Sequence, residues 1–215
     1  MQQKLTITAI SGWAIPNNWY EKELQKAFPN SKIHVVYPEN PEDEEEANFL
    51  LNQNPSKLFI GYSLGSLWLL KYQKYLPQNC HKAILAPILS FLDKNNLGGK
   101  TSETQLKYLI KILSRNQNQR DILKDFFYHA NLPYPETKID AIPDRKTLIK
   151  GLEFLINNVA SGSDTKEFFS IIGNNDIFIN AEILKKHIPH LIILKGVGHA
   201  PAELLMHLAK TIKIN

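Results

Sequence analysis

The stretch Leu58-Phe59-Ile60-Gly61-Tyr62-Ser63-Leu64-Gly65-Ser66-Leu67-Trp68-Leu69-Leu70 decides the fold. Its first three residues are a short apolar run of the kind that forms a buried strand. From Leu64 onward, Leu64, Leu67, Trp68, Leu70 and Tyr72 support a largely buried helix. Between the two lies Gly61-Tyr62-Ser63-Leu64-Gly65, a Gly-x-Ser-x-Gly motif. As a bare pentapeptide it is easily matched by chance in a turn, and its strand and helix flanks are what give it force. At a strand-to-helix elbow the serine takes a strained backbone conformation, and the small residues on either side let neighbouring chain approach. The hydroxyl then stands at the carboxyl end of the sheet, above the free N–H groups of a helix N-terminus.

Outward from this elbow the chain alternates strand and helix. Strands are expected at residues 5–10, 33–37, 57–61, 82–86, 167–172 and 191–194, and helices at 19–28, 42–51, 181–187 and 201–212. Such alternation implies a parallel sheet covered on both faces. Between Pro87 and about Ser163 it stops, and amphipathic helices appear, among them 103–113 and 119–129. Gly98, Gly99, Pro133, Pro135 and Pro143 mark turns between those helices. The expected organisation is therefore a core of residues 1–87 and 164–215 with a helical cap inserted at 88–163.

Composition narrows the function. With 215 residues, 43% hydrophobic and 21% charged, the chain suits one globular domain with an insertion and is neither disordered nor fibrous. A net charge of +4 is too mild for a nucleic-acid-binding signature. The charge is uneven, with an acidic run at residues 39–46 and cations at Lys107, Lys111, Arg115, Arg120 and Lys124. A single cysteine, Cys80, excludes an internal disulfide and fits a reducing cytoplasm, the expected location. No apolar run approaches the roughly 20 residues of a membrane span, and no secretory leader is expected at the N-terminus.

A serine at such an elbow needs a base and an acid, and in this architecture they follow in the order Ser, Asp, His. Asp176 stands in Ile172-Gly173-Asn174-Asn175-Asp176, just past a strand, where the plainer reading is a turn-forming Asx residue. Asp164 is a weaker rival, because it precedes that strand and would lie at the wrong end of the sheet. His199 stands in Gly196-Val197-Gly198-His199-Ala200-Pro201, between the last strand and the last helix. The other six of the seven histidines sit in helical, helix-end or strand-start contexts and are read as structural. In the expected chemistry His199 takes the proton of Ser63 and Asp176 fixes the imidazole tautomer and stabilises its charged form. The oxyanion would be met by the backbone N–H groups of Trp13 and Leu64, each worth roughly 3–4 kcal/mol in the transition state. The fold class read from these features is α/β, the α/β-hydrolase fold.

Taken together, Ser11-Gly12-Trp13, the Gly61–Gly65 motif, residues 173–176 and Gly198-His199-Ala200-Pro201 resemble the pimeloyl-[acyl-carrier-protein] methyl ester esterases of biotin biosynthesis. The resemblance implies Ser63, Asp176 and His199 as the triad and Trp13 with Leu64 as oxyanion donors. It extends to residues 119–126, similar to a cap helix of that family whose cations receive the acidic carrier protein, which points to Arg120 and Lys124, four apart and so on one helix face. A solvated helix face is the plainer reading of that pair. Residues 151–155 look like the segment returning from the cap. Two departures stand against the match: the chain begins at what would be an inner strand, and the rest of the family's cationic cap surface has only loose counterparts in Lys138, Arg145 and Lys146. The implied function is a serine carboxylesterase acting on the methyl ester of pimeloyl-acyl carrier protein, as a monomer and without metal or organic cofactor. The alternatives are a broad esterase, thioesterase or lactonase on small free esters, and a hydrolase fold reused for binding alone. Acyl carrier protein is thus the one macromolecular partner expected, with no nucleic acid and no membrane.

Overall fold

A computed structural model of the chain describes residues 4–115, 119–132 and 142–214, and at residues 119 and 120 the backbone alone. Six strands form one sheet: β1 (Thr6–Ile10), β2 (Lys32–Val36), β3 (Leu58–Tyr62), β4 (His81–Leu85), β7 (Phe168–Gly173) and β8 (Ile192–Leu194). Their order is β2-β1-β3-β4-β7-β8, and every neighbouring pair is parallel. All five residues of β3 are buried, so helices cover both faces there, as a near-continuous apolar strand requires. The helices α1 (Asn17–Ala27) and α8 (Pro201–Thr211) pack on each other, α8 against β4 and β7, while α3 (Leu64–Lys71) lies against β1 and β3. The remaining core helices are α2 (Glu44–Asn52) and α7 (Ala181–His187).

The strand order sets the location of the site. The chain leaves β1 towards β2 and returns to the other side of β1 to form β3, so the loops after β1 and β3 part at their carboxyl ends. Open parallel sheets bind ligands in the crevice at such a switch. Residues 11–13 follow β1 and Ser63 follows β3, so both lie at that crevice.

The segment expected to be a helical cap holds α4 (Glu103–Ser114), α5 (Gln119–His129) and α6 (Arg145–Asn157). It also contains two short parallel strands that the periodicity did not announce, β5 (Ser90–Leu92) and β6 (Gly98–Thr101). The reason lies in backbone packing, since a Cβ on Gly99 would stand 2.4 Å from the carbonyl of Phe91. The glycines read as turn punctuation let two chain segments touch; β6, Gly98-Gly99-Lys100-Thr101, lacks apolar side chains and leaves no period-2 trace, and the three residues of β5 are too few to show one.

Gly65 shows how tightly the elbow is built. A Cβ there would lie 2.4 Å from the carbonyl oxygen of Ile10, at the end of β1, and this backbone contact has no flexible side chain to yield. Gly65→Ala is therefore expected to destabilise the protein by about 1–3 kcal/mol, as overpacking does, read as a lower urea midpoint at unchanged slope.

Candidate active site

Ser63 occupies the turn between β3 and α3 with φ 54° and ψ −119°, a region that costs an L-residue about 1–3 kcal/mol. Hydrogen bonds hold it there. Its N–H donates to the carbonyl of Leu85 (3.0 Å), and its own carbonyl accepts from the N–H of Ser66 (2.8 Å) and the Ser66 hydroxyl (2.6 Å). The same hydroxyl oxygen accepts from the N–H of Ile88 (3.0 Å), tying the elbow to the loop after β4.

The acid is placed by a second close approach. At the end of β7 a Cβ on Gly173 would lie 2.1 Å from the carbonyl oxygen of Val197, so only glycine lets the acid loop and the histidine loop lie against each other. Asn174 and Asn175 donate from their backbones to Leu194 and Val197, and the Asn174 side chain accepts from Gly196 N–H. In Asp176, Oδ1 accepts from the N–H groups of Phe178 (2.9 Å) and Ile179 (3.0 Å), and Oδ2 lies 2.7 Å from His199 Nδ1. Asp176 thus makes an Asx turn with one oxygen and meets His199 with the other. His199 Nε2 lies 3.0 Å from Ser63 Oγ, which completes the relay. Asp164, the rival acid, accepts from Ser161 N–H before β7 and stays at the other end of the sheet.

Burial pushes the carboxyl of Asp176 upward. The opposing effects of His199 and the two backbone N–H groups are larger in sum and hold it below the ordinary aspartate value. The Tyr62 hydroxyl, buried beneath the site, donates to the backbone carbonyl of His199 (3.0 Å), and burial together with the Asp176 charge raises its pKa far above the ordinary value. It remains a neutral donor that fixes the histidine loop. The Phe178 ring meets the imidazole edge to face at 4.8 Å.

Residues 11–13 press against the nucleophile, because a Cβ on Gly12 would come within 3.0 Å of the Tyr62 ring and 3.2 Å of Ser63 Cβ. The N–H of Leu64 opens α3 and has no preceding turn to donate to. Among the described residues the N–H of Trp13 makes no backbone bond in the loop. The Trp13 indole donates to the carbonyl of Leu148 on α6 (2.9 Å) and packs edge-on to Phe126 on α5 at 4.8 Å. On α6, a Cβ at Gly151 would lie 2.9 Å from the Trp13 ring and 3.2 Å from the Leu64 side chain.

Ser63 and His199 open into a cavity of about 320 Å³ walled by Trp13, Phe91, Leu106, Leu109, Phe126 and Phe178, with Lys100, Thr101 and Gln105 on one side. The volume lies at the small end of ligand pockets, and the mostly apolar wall with a few polar groups is their usual composition. Lys124 is exposed on α5, and the side chain of Arg120 lies outside the described residues, as does Lys138. Sequence reasoning missed the supporting contacts of Tyr62 and Ser66, and read Gly151 only as part of a segment returning from the cap. Tyr62 sits inside the motif itself and Ser66 three residues past the nucleophile, so spacing offered a signal. The contact of Gly151 with Trp13 and the place of Lys100 on the cavity wall span the fold and left no local signal.

The state of Asp176 has a consequence for acid stability. Its folded pKa lies below the unfolded value of about 3.9, so the stabilisation it gives is present above that value and is lost as pH falls through the folded pKa. Asp176→Asn removes this contribution. The variant is expected to be less stable than wild type at pH 7, with the gap narrowing below about pH 4, as followed by thermal unfolding across a pH series.

No family model matches the chain, and no curated protein matches it. Among solved structures it is similar to a lipase-esterase related protein from Clostridium acetobutylicum ATCC 824, with TM-score 0.63 and 14% identity over 97% of this chain and 93% of that one. It is also similar to the N-acyl homoserine lactonase AidH, with TM-score 0.64 and 14% identity over 97% and 88% of the two chains. BioG from Haemophilus influenzae matches with TM-score 0.59 and 9% identity over 97% and 95%. The six-stranded parallel sheet, its flanking helices and these likenesses show an α/β-hydrolase fold.

Proposed function

We propose that the protein is a serine carboxylesterase. The observation that carries this reading is the unbroken line Ser63 Oγ–His199 Nε2, His199 Nδ1–Asp176 Oδ2, at 3.0 and 2.7 Å, opening into an apolar cavity. Ser63 Oγ attacks the ester carbonyl as His199 takes its proton. The tetrahedral oxyanion is held by Trp13 and Leu64 N–H, and the alcohol leaves with the proton that His199 returns. Water, deprotonated by His199, then releases the acid from Ser63.

For the substrate, the resemblance in motifs favours the methyl ester of a pimeloyl chain on acyl carrier protein, with the chain beneath α4–α6 and Arg120 and Lys124 contacting the acidic carrier. The cationic residues on α4, α5 and α6 support it: Lys107, Lys111, Lys124, Arg145 and Lys146 all lie on these helices. A second reading, hydrolysis of small free esters or lactones, is favoured by the small apolar cavity. A purely binding role has no use for the hydrogen-bonded line from Ser63 through His199 to Asp176.

Assay of pimeloyl-carrier-protein methyl ester beside p-nitrophenyl esters of graded length separates the two substrate readings. Ser63→Ala should lower kcat by about four to six orders of magnitude on whichever ester is turned over, and a binding protein would keep its function. Charge reversal at Arg120 and Lys124 should raise KM for the carrier-bound ester far more than for a small soluble ester. Equal effects on both remove the docking role.

A further inference from the structure

Gly151 lies inside α6, where glycine weakens a helix, and catalysis as written makes no use of it. Its face of the helix is buried, with Leu148 one turn before it and Leu152 and Leu155 beyond it. The Leu148 carbonyl accepts the Trp13 indole N–H at 2.9 Å. The same ring rests against residue 151, where a Cβ would stand 2.9 Å from Cδ1 and 3.5 Å from Nε1 of the indole, and 3.2 Å from the Leu64 side chain. Phe126 on α5 packs edge-on to that ring at 4.8 Å. The indole is tied at its nitrogen and packed by Phe126, so a methyl group on residue 151 would strain the bond to Leu148 or move α6. A single backbone position on the inserted helices therefore meets both residues proposed as oxyanion donors.

The loop that carries Trp13 needs such an anchor. Ala14, the next residue, has φ 60°, a left-handed conformation that costs a non-glycine residue about 1–3 kcal/mol. Around it the N–H groups of Ser11 and Ile15 donate to the carbonyls of Val36 and Gly12, and that of Ala14 donates to the Tyr37 hydroxyl. Strain persists only where the surroundings hold it. The Trp13 side chain grips the inserted helices, α6 by its hydrogen bond and α5 by Phe126. We propose that Gly151 is a positioning residue for catalysis: by admitting the Trp13 ring against the backbone of α6, it keeps the Trp13 N–H aimed at the oxyanion formed at Ser63. The proposal rests on the esterase reading of Ser63 and holds for either substrate reading.

The test compares wild type, Gly151→Ala, Trp13→Phe and the double variant on a p-nitrophenyl ester, together with inhibition by an alkyl trifluoromethyl ketone. Ser63 Oγ adds to the carbonyl of that ketone as its proton passes to His199, which leaves an oxyanion where the ester forms one. Trp13→Phe keeps the backbone N–H and removes the indole donor. Each single variant should lower kcat by about tenfold or more, with KM held within about threefold, and should weaken the ketone by the same factor as kcat. The double variant should lose less than the product of the two single losses, since both act through one ring. Calorimetry should find the affinity of Ser63→Ala for the ester unmoved when Gly151→Ala is added. A rise in KM at unchanged kcat, or ketone affinity that stays at the wild-type value, overturns the proposal and leaves Gly151 as a packing residue of α6. If Gly151→Ala does not fold, Trp13→Phe carries the same comparison. A wild type that turns over no ester and takes up no ketone overturns the esterase reading and the proposal with it, whereas turnover insensitive to both variants overturns the proposal only.

Discussion

Everything at the site depends on one backbone constraint, the positive φ of Ser63 at the top of β3. The conformation is unfavourable by itself, and the fold maintains it by surrounding the turn with contacts that no other path of the chain satisfies. Gly65 touches the carbonyl of Ile10, Gly61 touches the backbone of Gly65 and Ser66, and the carbonyl of Ser63 takes two donors from Ser66. Each contact joins β3 and α3 to each other or to β1, so the strain is distributed over the centre of the sheet, where burial is complete. Strain of this kind persists only where the surroundings over-determine it.

The same principle operates at the other half of the site. Gly173 lets the loop after β7 lie on the loop after β8, and this backbone contact sets the separation of Asp176 and His199 before their side chains meet. Tyr62 then joins the two halves, since it belongs to the nucleophile's motif and donates to the carbonyl of the histidine. The triad is therefore an outcome of four loop backbones pressed together at the carboxyl edge, with the side-chain hydrogen bonds as the last step.

What could be read in the sequence follows from this. The elbow, the sheet and the residues 63, 176 and 199 were legible because their signals are local: an apolar run, a glycine pair around a serine, a polar loop after each late strand. The strands β5 and β6 were not, because Gly98 and Gly99 carry no side-chain period and their reason for being glycine lies in Phe91 and in the Asn180 and Ile179 backbone. Gly151 reads in the sequence only as part of the segment returning from the cap, and the structure sets it inside α6, where glycine costs about 1 kcal/mol relative to alanine. Its use appears only when Trp13, 138 positions earlier, is found against it. Charge gave the least. Lys100 is unremarkable among 25 basic residues until the fold turns it to the cavity.

The contact between α6 and the loop after β1 changes what the inserted helices are for. A roof need only exclude water, and it could do so by apolar side chains resting loosely on the core. Here α6 accepts the indole N–H of Trp13 at Leu148 and lies close enough at Gly151 to touch both Trp13 and Leu64, the two residues proposed as oxyanion donors. A displacement of α6 by a side-chain's width would release the Trp13 ring and, with it, the loop after β1. Preorganised donors are effective because they need no reorientation as charge develops, so the rigidity of that loop is part of their value. In this fold the inserted helices wall the cavity and also brace the loop after β1, so on the proposed mechanism a ligand that displaced α6 would also disturb the Trp13 N–H.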